Sequence, residues 1–236
     1  MLMLVLAGGL GTRLTPAVPE APKVLAPIND VPFLKLQIKN WAAQRQLDFV
    51  FLLSHKHDQI IDFLKKEIGP DTTLDVNYEV IIDESLLGTG GSVKACIQKL
   101  SINEPFLVIN GDTWLDSGLS DLKQQGPNTI GLIESNDRDR FGSVTITDDG
   151  YVLAFDEKAI DLSEETKFIN GGVYCLTPCI FEKYNGSNFS IERDLFPSLM
   201  NQKILKGLPL HSAFVDIGIP SDYVKAANML RDFTKQ

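Results

Sequence analysis

Apolar and polar positions along the first half of the chain follow two different periods. Met1 to Leu6 is an almost unbroken apolar run, as are Phe49 to Leu53 and Phe106 to Ile109. Short continuous runs of this kind predict strands buried on both faces, as in a parallel sheet. Between them the spacing becomes helical. Phe33, Ile38, Trp41 and Ala42 fall on one helical face, and Ile60, Ile61, Leu64 and Ile68 on another. Thr89 is placed to cap a helix from about Gly90 to Leu100. Strands alternating with helices predict an α/β fold, with helices on both sides of a predominantly parallel sheet.

The second half has a different pattern. Ser143 to Thr147 and Tyr151 to Phe155 flank Asp148-Asp149-Gly150, a hairpin signal that makes the sheet mixed. Phe168 to Leu176 is a further strand, and Ala213-Phe214-Val215 another. Pro178 fits the first turn of a short helix, and Ser190 and Ser221 fit the caps of the last two helices. No linker, repeat or low-complexity segment interrupts this order, so residues 1–236 read as one domain.

Composition narrows the class. A chain of 236 residues with 44% hydrophobic content can bury one full core. No run of about 18 apolar residues occurs, which predicts no membrane-spanning helix. The three cysteines, Cys96, Cys175 and Cys179, make no even framework, and this favours a reducing cytoplasm. Cys175 and Cys179 read as buried structural thiols rather than a metal pair. A net charge of −9 argues against nucleic acid as a partner. It leaves a nucleotide open, because local cations and a divalent metal can reverse the field of one cleft.

The chemistry concentrates in Leu6 to Lys23, which reads LAGGLGTRLTPAVPEAPK. Gly8, Gly9 and Gly11 follow the first strand, allow a tight turn and bring bare N–H groups close to whatever binds. Arg13 adds a planar cation and Lys23 a mobile one. Together they suit a polyphosphate. The spacing matches neither a P-loop nor the GxGxxG dinucleotide fingerprint, and a plain strand-to-helix turn is the alternative.

Two acids stand at the ends of apolar runs, where open α/β sheets bind ligands. Asn110-Gly111-Asp112 follows one run, and Asp216 follows another ahead of Ile217-Gly218-Ile219-Pro220. Carboxylates so placed suit Mg²⁺, and simple turn chemistry is the alternative. Glu157-Lys158 reads as a sugar-phosphate contact or a surface ion pair. Asn170-Gly171-Gly172 reads as a hydroxyl-binding turn or a bulge. His55 and His57 read as solvated residues near a helix start, and Trp41 as core.

These motifs occur together and in order: LAGGLGTRLTP (Leu6–Pro16), PK (Pro22–Lys23), LGTGG (Leu87–Gly91), NGD (Asn110–Asp112), FG (Phe141–Gly142), EK (Glu157–Lys158), NGG (Asn170–Gly172) and DIGIP (Asp216–Pro220). In this the chain resembles the sugar nucleotidyltransferases over nearly its whole length. APINDVPFL, NGDTWLD, DRFGSV, FDEK, INGGVY and FVDIGIPSDY resemble the branch that uses GTP and a manno-configured heptose 1-phosphate. One departure is Ser85-Leu86, where relatives usually carry Glu-Pro before Leu-Gly-Thr.

The resemblance implies a Rossmann-like three-layer sandwich of the nucleotide-diphospho-sugar transferase type, with no C-terminal β-helix. It implies a nucleotide-binding half to about residue 115 and a sugar-phosphate half from 116 to 236. On the nucleotide side fall Leu6, Ala7, Gly8, Gly9, Gly11, Thr12, Arg13, Lys23, Gly88, Thr89, Asn110 and Gly111. On the sugar-phosphate side fall Gly142, Glu157, Lys158, Asn170 and Gly171. Arg13, Lys23 and Asp112 are implied as catalytic, and Asp112 and Asp216 as ligands of Mg²⁺. The implied partners are a nucleoside triphosphate and a sugar 1-phosphate, with no nucleic acid or membrane and with a homodimer left open. Mannose, glucose and muramate 1-phosphates remain alternative acceptors. A regulatory module that binds sugar nucleotides without turnover is the reading from a different class, although it would not need the Arg13 and Lys23 cations.

Overall fold

The apolar runs form strands Met3–Leu6, Asp48–Leu53 and Phe106–Asn110 in the computed structural model. The structure describes every residue except 12, 15–17, 19–20, 72, 84, 86, 136–142, 157–167, 185–186 and 236. Two compact units are interleaved along the chain. One comprises Met3–Ser85, Asn110–Asp116 and Ala213–Gln236, and the other Met1–Leu2, Leu86–Ile109 and Ser117–Ser212. They are called here the parallel unit and the mixed unit.

In the parallel unit, Asp48–Leu53 lies parallel to Met3–Leu6 on one side and to Asn77–Ile82 on the other. Phe49 to Leu53 are all buried, as a central parallel strand requires. Helix Phe33–Ala43 buries Phe33, Leu34, Leu36, Ile38 and Trp41. The Trp41 ring lies 5.6 Å from that of Phe49. Helix His57–Phe63 runs on into a π-helical turn, Leu64–Ile68, and Ile60, Leu64 and Ile68 are buried as their spacing predicted. His57 opens this helix and His55 is exposed.

A short antiparallel ribbon completes the unit. Thr113–Leu115 pairs with Phe214–Asp216, so that Trp114 faces Val215 and Thr113 faces Asp216. Trp114, Val215 and Ile217 pack with Leu14, Ile28, Phe33, Ala226 and Leu230 in a core of their own. Two buried amides on helix Phe33–Ala43 hold one edge of the ribbon. Gln37 Nε2 donates to the Thr113 carbonyl at 2.7 Å, and Asn40 Nδ2 to that of Leu115 at 2.6 Å.

The mixed unit is built around the long strand Phe168–Leu176. Its residues run antiparallel to Phe106–Asn110 and Thr129–Glu134, and at its start to Ser143–Ile146. Lys206–Pro209 lies parallel to Thr129–Glu134. Ser143–Ile146 and Val152–Asp156 form the expected hairpin. Among the described residues, no helix is long and apolar enough to cross a membrane.

Three local expectations are corrected. Thr89 does not cap its helix. Helix Gly88–Leu100 starts earlier, because the Phe189 carbonyl accepts from Gly90 N at 2.9 Å and Gly91 N at 3.3 Å. Ser221 lies inside helix Pro220–Met229, whose N-cap is Ile219, since Pro220 already fits the first helical position. Cys179 is exposed at the start of a short helix, whereas Cys175 is buried in its strand. Ser190 does act as a cap, accepting from Glu192 N and Arg193 N ahead of the π turn Ile191–Leu195.

Candidate functional site

The glycine loop in the parallel unit is fixed from both sides. Ala7 N donates to Leu52 O at 3.0 Å, and Gly111 N to Leu6 O at 2.9 Å. A Cβ added at Gly8 would lie 2.9 Å from Ser54 N, and one at Gly111 2.9 Å from Leu6 O. Both glycines are therefore required by close backbone approach. Gly9 differs: among the described residues, an added Cβ there would meet nothing within 4 Å. Gly11 takes a left-handed φ of 64°, and its carbonyl accepts from Leu14 N at 3.0 Å. Leu14 is buried, so the chain is anchored just beyond the loop, while Arg13 beside it is exposed.

Lys23 opens a 3-10 turn, Lys23–Leu25, preceded by Pro22. Its ammonium forms an ion pair with Asp112 Oδ2, and the two side chains are 12% and 28% exposed. Asp112 follows the Phe106–Asn110 strand in a tight turn, and its carbonyl accepts from Ile217 N at 3.0 Å. That bond, with the pairing of Asp216 and Thr113, puts the two aspartates on adjacent stretches of backbone. Asp216 Oδ1 accepts from Gly218 N at 2.6 Å. A Cβ added at Gly218 would collide with Asp216 Oδ1 and lie 3.0 Å from Lys23 Nζ. Lys23, Asp112 and Asp216 thus converge beside Gly218.

The structure brings together Leu6, Ala7, Gly8, Lys23, Gly111, Asp112 and Asp216 within this unit. Among the described residues no group of three or more His, Cys, Asp or Glu side chains is placed to hold a metal ion. A divalent metal on the two aspartates alone would need oxygens from water or a bound phosphate, which is how Mg²⁺ is commonly held. Hard carboxylate donors fit such an ion.

Gly88, Thr89, Asn170 and Gly171 belong to the mixed unit. Gly88, at φ 71°, leaves no room for a side chain, since an added Cβ would lie 2.6 Å from Phe189 O. The Thr89 hydroxyl accepts from Ile191 N at 2.9 Å and donates to Glu192 Oε2 at 2.9 Å. Asn170 opens a bulge. The register to Thr129–Glu134 shifts between Asn170 and Tyr174, and Asn170 Oδ1 accepts from Gly172 N at 2.9 Å. Gly171 is buried against Gly131 O. Thr12, Gly142, Glu157 and Lys158 lie outside the described residues.

Gln37, Asn40 and Glu192 were not anticipated. Polar residues at positions 37 and 40, on a stripe that also carries Phe33 and Trp41, were the signal available for the two amides. Glu192 had none beyond its place two residues after a capping serine.

The model of the Nucleotidyl transferase family matches residues 2–232. A D-glycero-α-D-manno-heptose 1-phosphate guanylyltransferase of Campylobacter jejuni is 35% identical over 225 residues, covering 94% of this chain and 97% of that one. A protein of the same name from Aneurinibacillus thermoaerophilus is 36% identical over 241 residues, covering 98% of each. The crystal structure of HddC from Yersinia pseudotuberculosis, complexed with GMP-PN, superposes with a TM-score of 0.83 at 33% identity, covering 97% of this chain and 99% of that one.

Proposed function

We propose that this chain, which belongs to the nucleotidyl transferase family, joins GTP to D-glycero-α-D-manno-heptose 1-phosphate, releasing pyrophosphate and a GDP-heptose for surface polysaccharide synthesis. It is an enzyme of the sugar 1-phosphate nucleotidyltransferase class. The observation that carries the reading is the convergence of Lys23, Asp112 and Asp216 beside a glycine loop whose Gly9 is open to a ligand. The names of the similar guanylyltransferases, and the nucleotide analogue in HddC, support the choice of guanine and heptose.

In this reading a sugar phosphate oxygen attacks the α-phosphorus of the triphosphate. One P–O bond forms, and the bond to the β-phosphate bridge breaks, its electron pair leaving with pyrophosphate. The nucleophile is already an anion, so no general base is needed. Catalysis then rests on alignment and charge. Lys23 neutralises the α-phosphate as charge moves through it, and Arg13, exposed beside the loop, grips the leaving pyrophosphate. Asp112 and Asp216 would hold Mg²⁺, which supplies charge neutralisation to the phosphate oxygens when bound. Asn170 bonds sugar hydroxyls, with Glu157 and Lys158 on the same substrate. The enzyme works in the cytoplasm, a reading supported by three cysteines that make no even framework.

A matrix of nucleoside triphosphates against sugar 1-phosphates, read by pyrophosphate release, tests this. GTP should exceed UTP and dTTP by at least roughly tenfold in kcat/KM, since a base that fits wrongly leaves buried polar groups unpaired. Mannose 1-phosphate should be a slow acceptor. Preference for UTP or dTTP with glucose 1-phosphate would overturn the substrates and leave the reaction. Release with no pair would overturn the reaction itself.

A further inference from the structure

Glu192 lies at the centre of a hydrogen-bond network contained wholly within the mixed unit. Its Oε2 accepts from Thr89 Oγ1 at 2.9 Å and from Ser190 Oγ at 2.7 Å, and its Oε1 accepts from the Tyr174 hydroxyl at 3.1 Å. The same Tyr174 oxygen accepts from Asn170 Nδ2 at 2.9 Å. A path of side-chain hydrogen bonds therefore runs from the glycine-rich start of helix Gly88–Leu100, through Glu192 and Tyr174, to the bulge at Asn170.

The polarity of this path is fixed by chemistry. A carboxylate has no proton to give, so every hydroxyl that meets it must donate. The Tyr174 proton is thereby committed to Glu192, which leaves the phenol oxygen facing Asn170 as an acceptor. Only the amide nitrogen can answer it. At the other end of the amide, Gly172 N–H requires the oxygen. Both contacts select the same orientation of a group whose two ends are otherwise nearly interchangeable in shape. Asn170 is left with one N–H and one oxygen lone pair in known places.

We propose that Glu192 is a positioning residue, which acts through the Tyr174 hydroxyl to set the donor and acceptor ends of the Asn170 amide toward the sugar 1-phosphate. This rests on the reading of Asn170 as a ligand of sugar hydroxyls. An amide of fixed polarity discriminates the hydroxyls it meets, whereas one free to turn accepts either arrangement and loses the benefit of being preset. Glu192→Gln is the direct substitution, because it keeps the shape and adds donors, so that Tyr174 can reverse its proton. Glu192 also holds Thr89, so Tyr174→Phe is the variant that isolates the link to Asn170. Tyr174 is fully buried, with its ring 5.1 Å from that of Phe196 in an edge-on contact, and phenylalanine keeps that packing.

The test measures KM for each substrate separately in Glu192→Gln, Tyr174→Phe, their double variant and Asn170→Ala. Tyr174→Phe should raise the KM for the sugar 1-phosphate about tenfold, the scale of one oriented hydrogen bond, and change the KM for GTP less than about twofold. Glu192→Gln should raise the sugar KM similarly. The double variant should be no worse than either single one, since both break one path. Asn170→Ala serves as the reference. If it raises the sugar KM while Tyr174→Phe and Glu192→Gln do not, the positioning role is overturned and the reading of Asn170 stands. If Asn170→Ala leaves the sugar KM unchanged, that reading fails and the positioning role falls with it. A parallel rise in both KM values in Tyr174→Phe would point to general loosening and also overturn the proposal.

Discussion

Lys23 and Asp112 are 89 residues apart in sequence, yet the lysine ammonium rests on Asp112 Oδ2 as a largely buried ion pair. The pair places a positive charge where the proposed metal would bind, with Asp216 close to the same point. Lysine and metal would then compete for Asp112. Removing the cation leaves two carboxylates with less neutralisation. Lys23→Met should therefore tighten Mn²⁺ binding to the nucleotide-free protein by roughly three- to tenfold, the scale of one partly screened charge. Asp112→Asn should weaken it. Both variants should lose about a hundredfold or more in turnover. Calorimetric titration with Mn²⁺ distinguishes the two, and no tightening in Lys23→Met would show that the lysine does not compete.

Gly8 and Gly9 are neighbours with different reasons to be glycine. A methyl at position 8 would press on Ser54 N, whereas one at position 9 would meet nothing among the described residues. Gly8→Ala should destabilise the fold by about 1–3 kcal/mol, lowering Tm by several degrees. Gly9→Ala should leave Tm unchanged and raise the KM for GTP, because only a bound phosphate would meet the added group. Thermal melts and nucleotide KM values decide this. An unchanged KM in Gly9→Ala would remove Gly9 from the nucleotide site.

Much of the parallel unit was legible because Met3–Leu6 and Asp48–Leu53 are buried nearly throughout and so appear as apolar runs. Asp112 and Asp216 were visible because each ends such a run. The partner of Lys23 was not visible, since no local rule relates residues 89 positions apart. Lys206–Pro209 carries too few apolar residues to stand out, Asn77 and Glu79 break up Asn77–Ile82, and Gly131 interrupts Thr129–Glu134. Thr89 looked like a cap because its hydroxyl is suited to one. A tertiary contact from Phe189 O took that role, and the hydroxyl joined the Glu192 network instead.

The cysteines should differ sharply in reactivity. Cys96 and Cys175 are buried and Cys179 is exposed. Burial pushes the Cys175 thiol up to about 11, against a partial opposing pull from Lys123. At pH 8 only about one Cys175 in a thousand would be ionised, even with full access. Native protein should therefore react with one equivalent of a thiol reagent, lost in Cys179→Ser, and with three after denaturation. The raised thiol also binds its proton more tightly folded than unfolded. Its contribution to stability is present below about pH 9 and is lost as the pH rises through about 11. Rapid labelling of two or more thiols in the native state would contradict the burial of Cys175.

Trp114 should control the proposed metal site without touching the metal. Its strand carries Thr113 opposite Asp216, and Ile217 N bonds the carbonyl of Asp112, so the ribbon sets where both carboxylates stand. The indole is 2% exposed and packs against Phe33 and Phe233, with ring centroids at 6.4 and 4.9 Å. A register slip of one residue in such a ribbon turns every side chain to the other face. Trp114→Ala would leave a cavity in this small core, at a loss of about 3–5 kcal/mol of stability. Trp114→Phe keeps a ring in place and should lose less. If the ribbon sets the carboxylates, Mn²⁺ affinity should fall with stability along the series tryptophan, phenylalanine, alanine, measured well below each variant's Tm. Asp216→Asn should instead lower Mn²⁺ affinity at nearly unchanged Tm, because the Gly218 N–H can still bond the amide oxygen. Unchanged Mn²⁺ affinity in folded Trp114→Ala would separate the ribbon from the site.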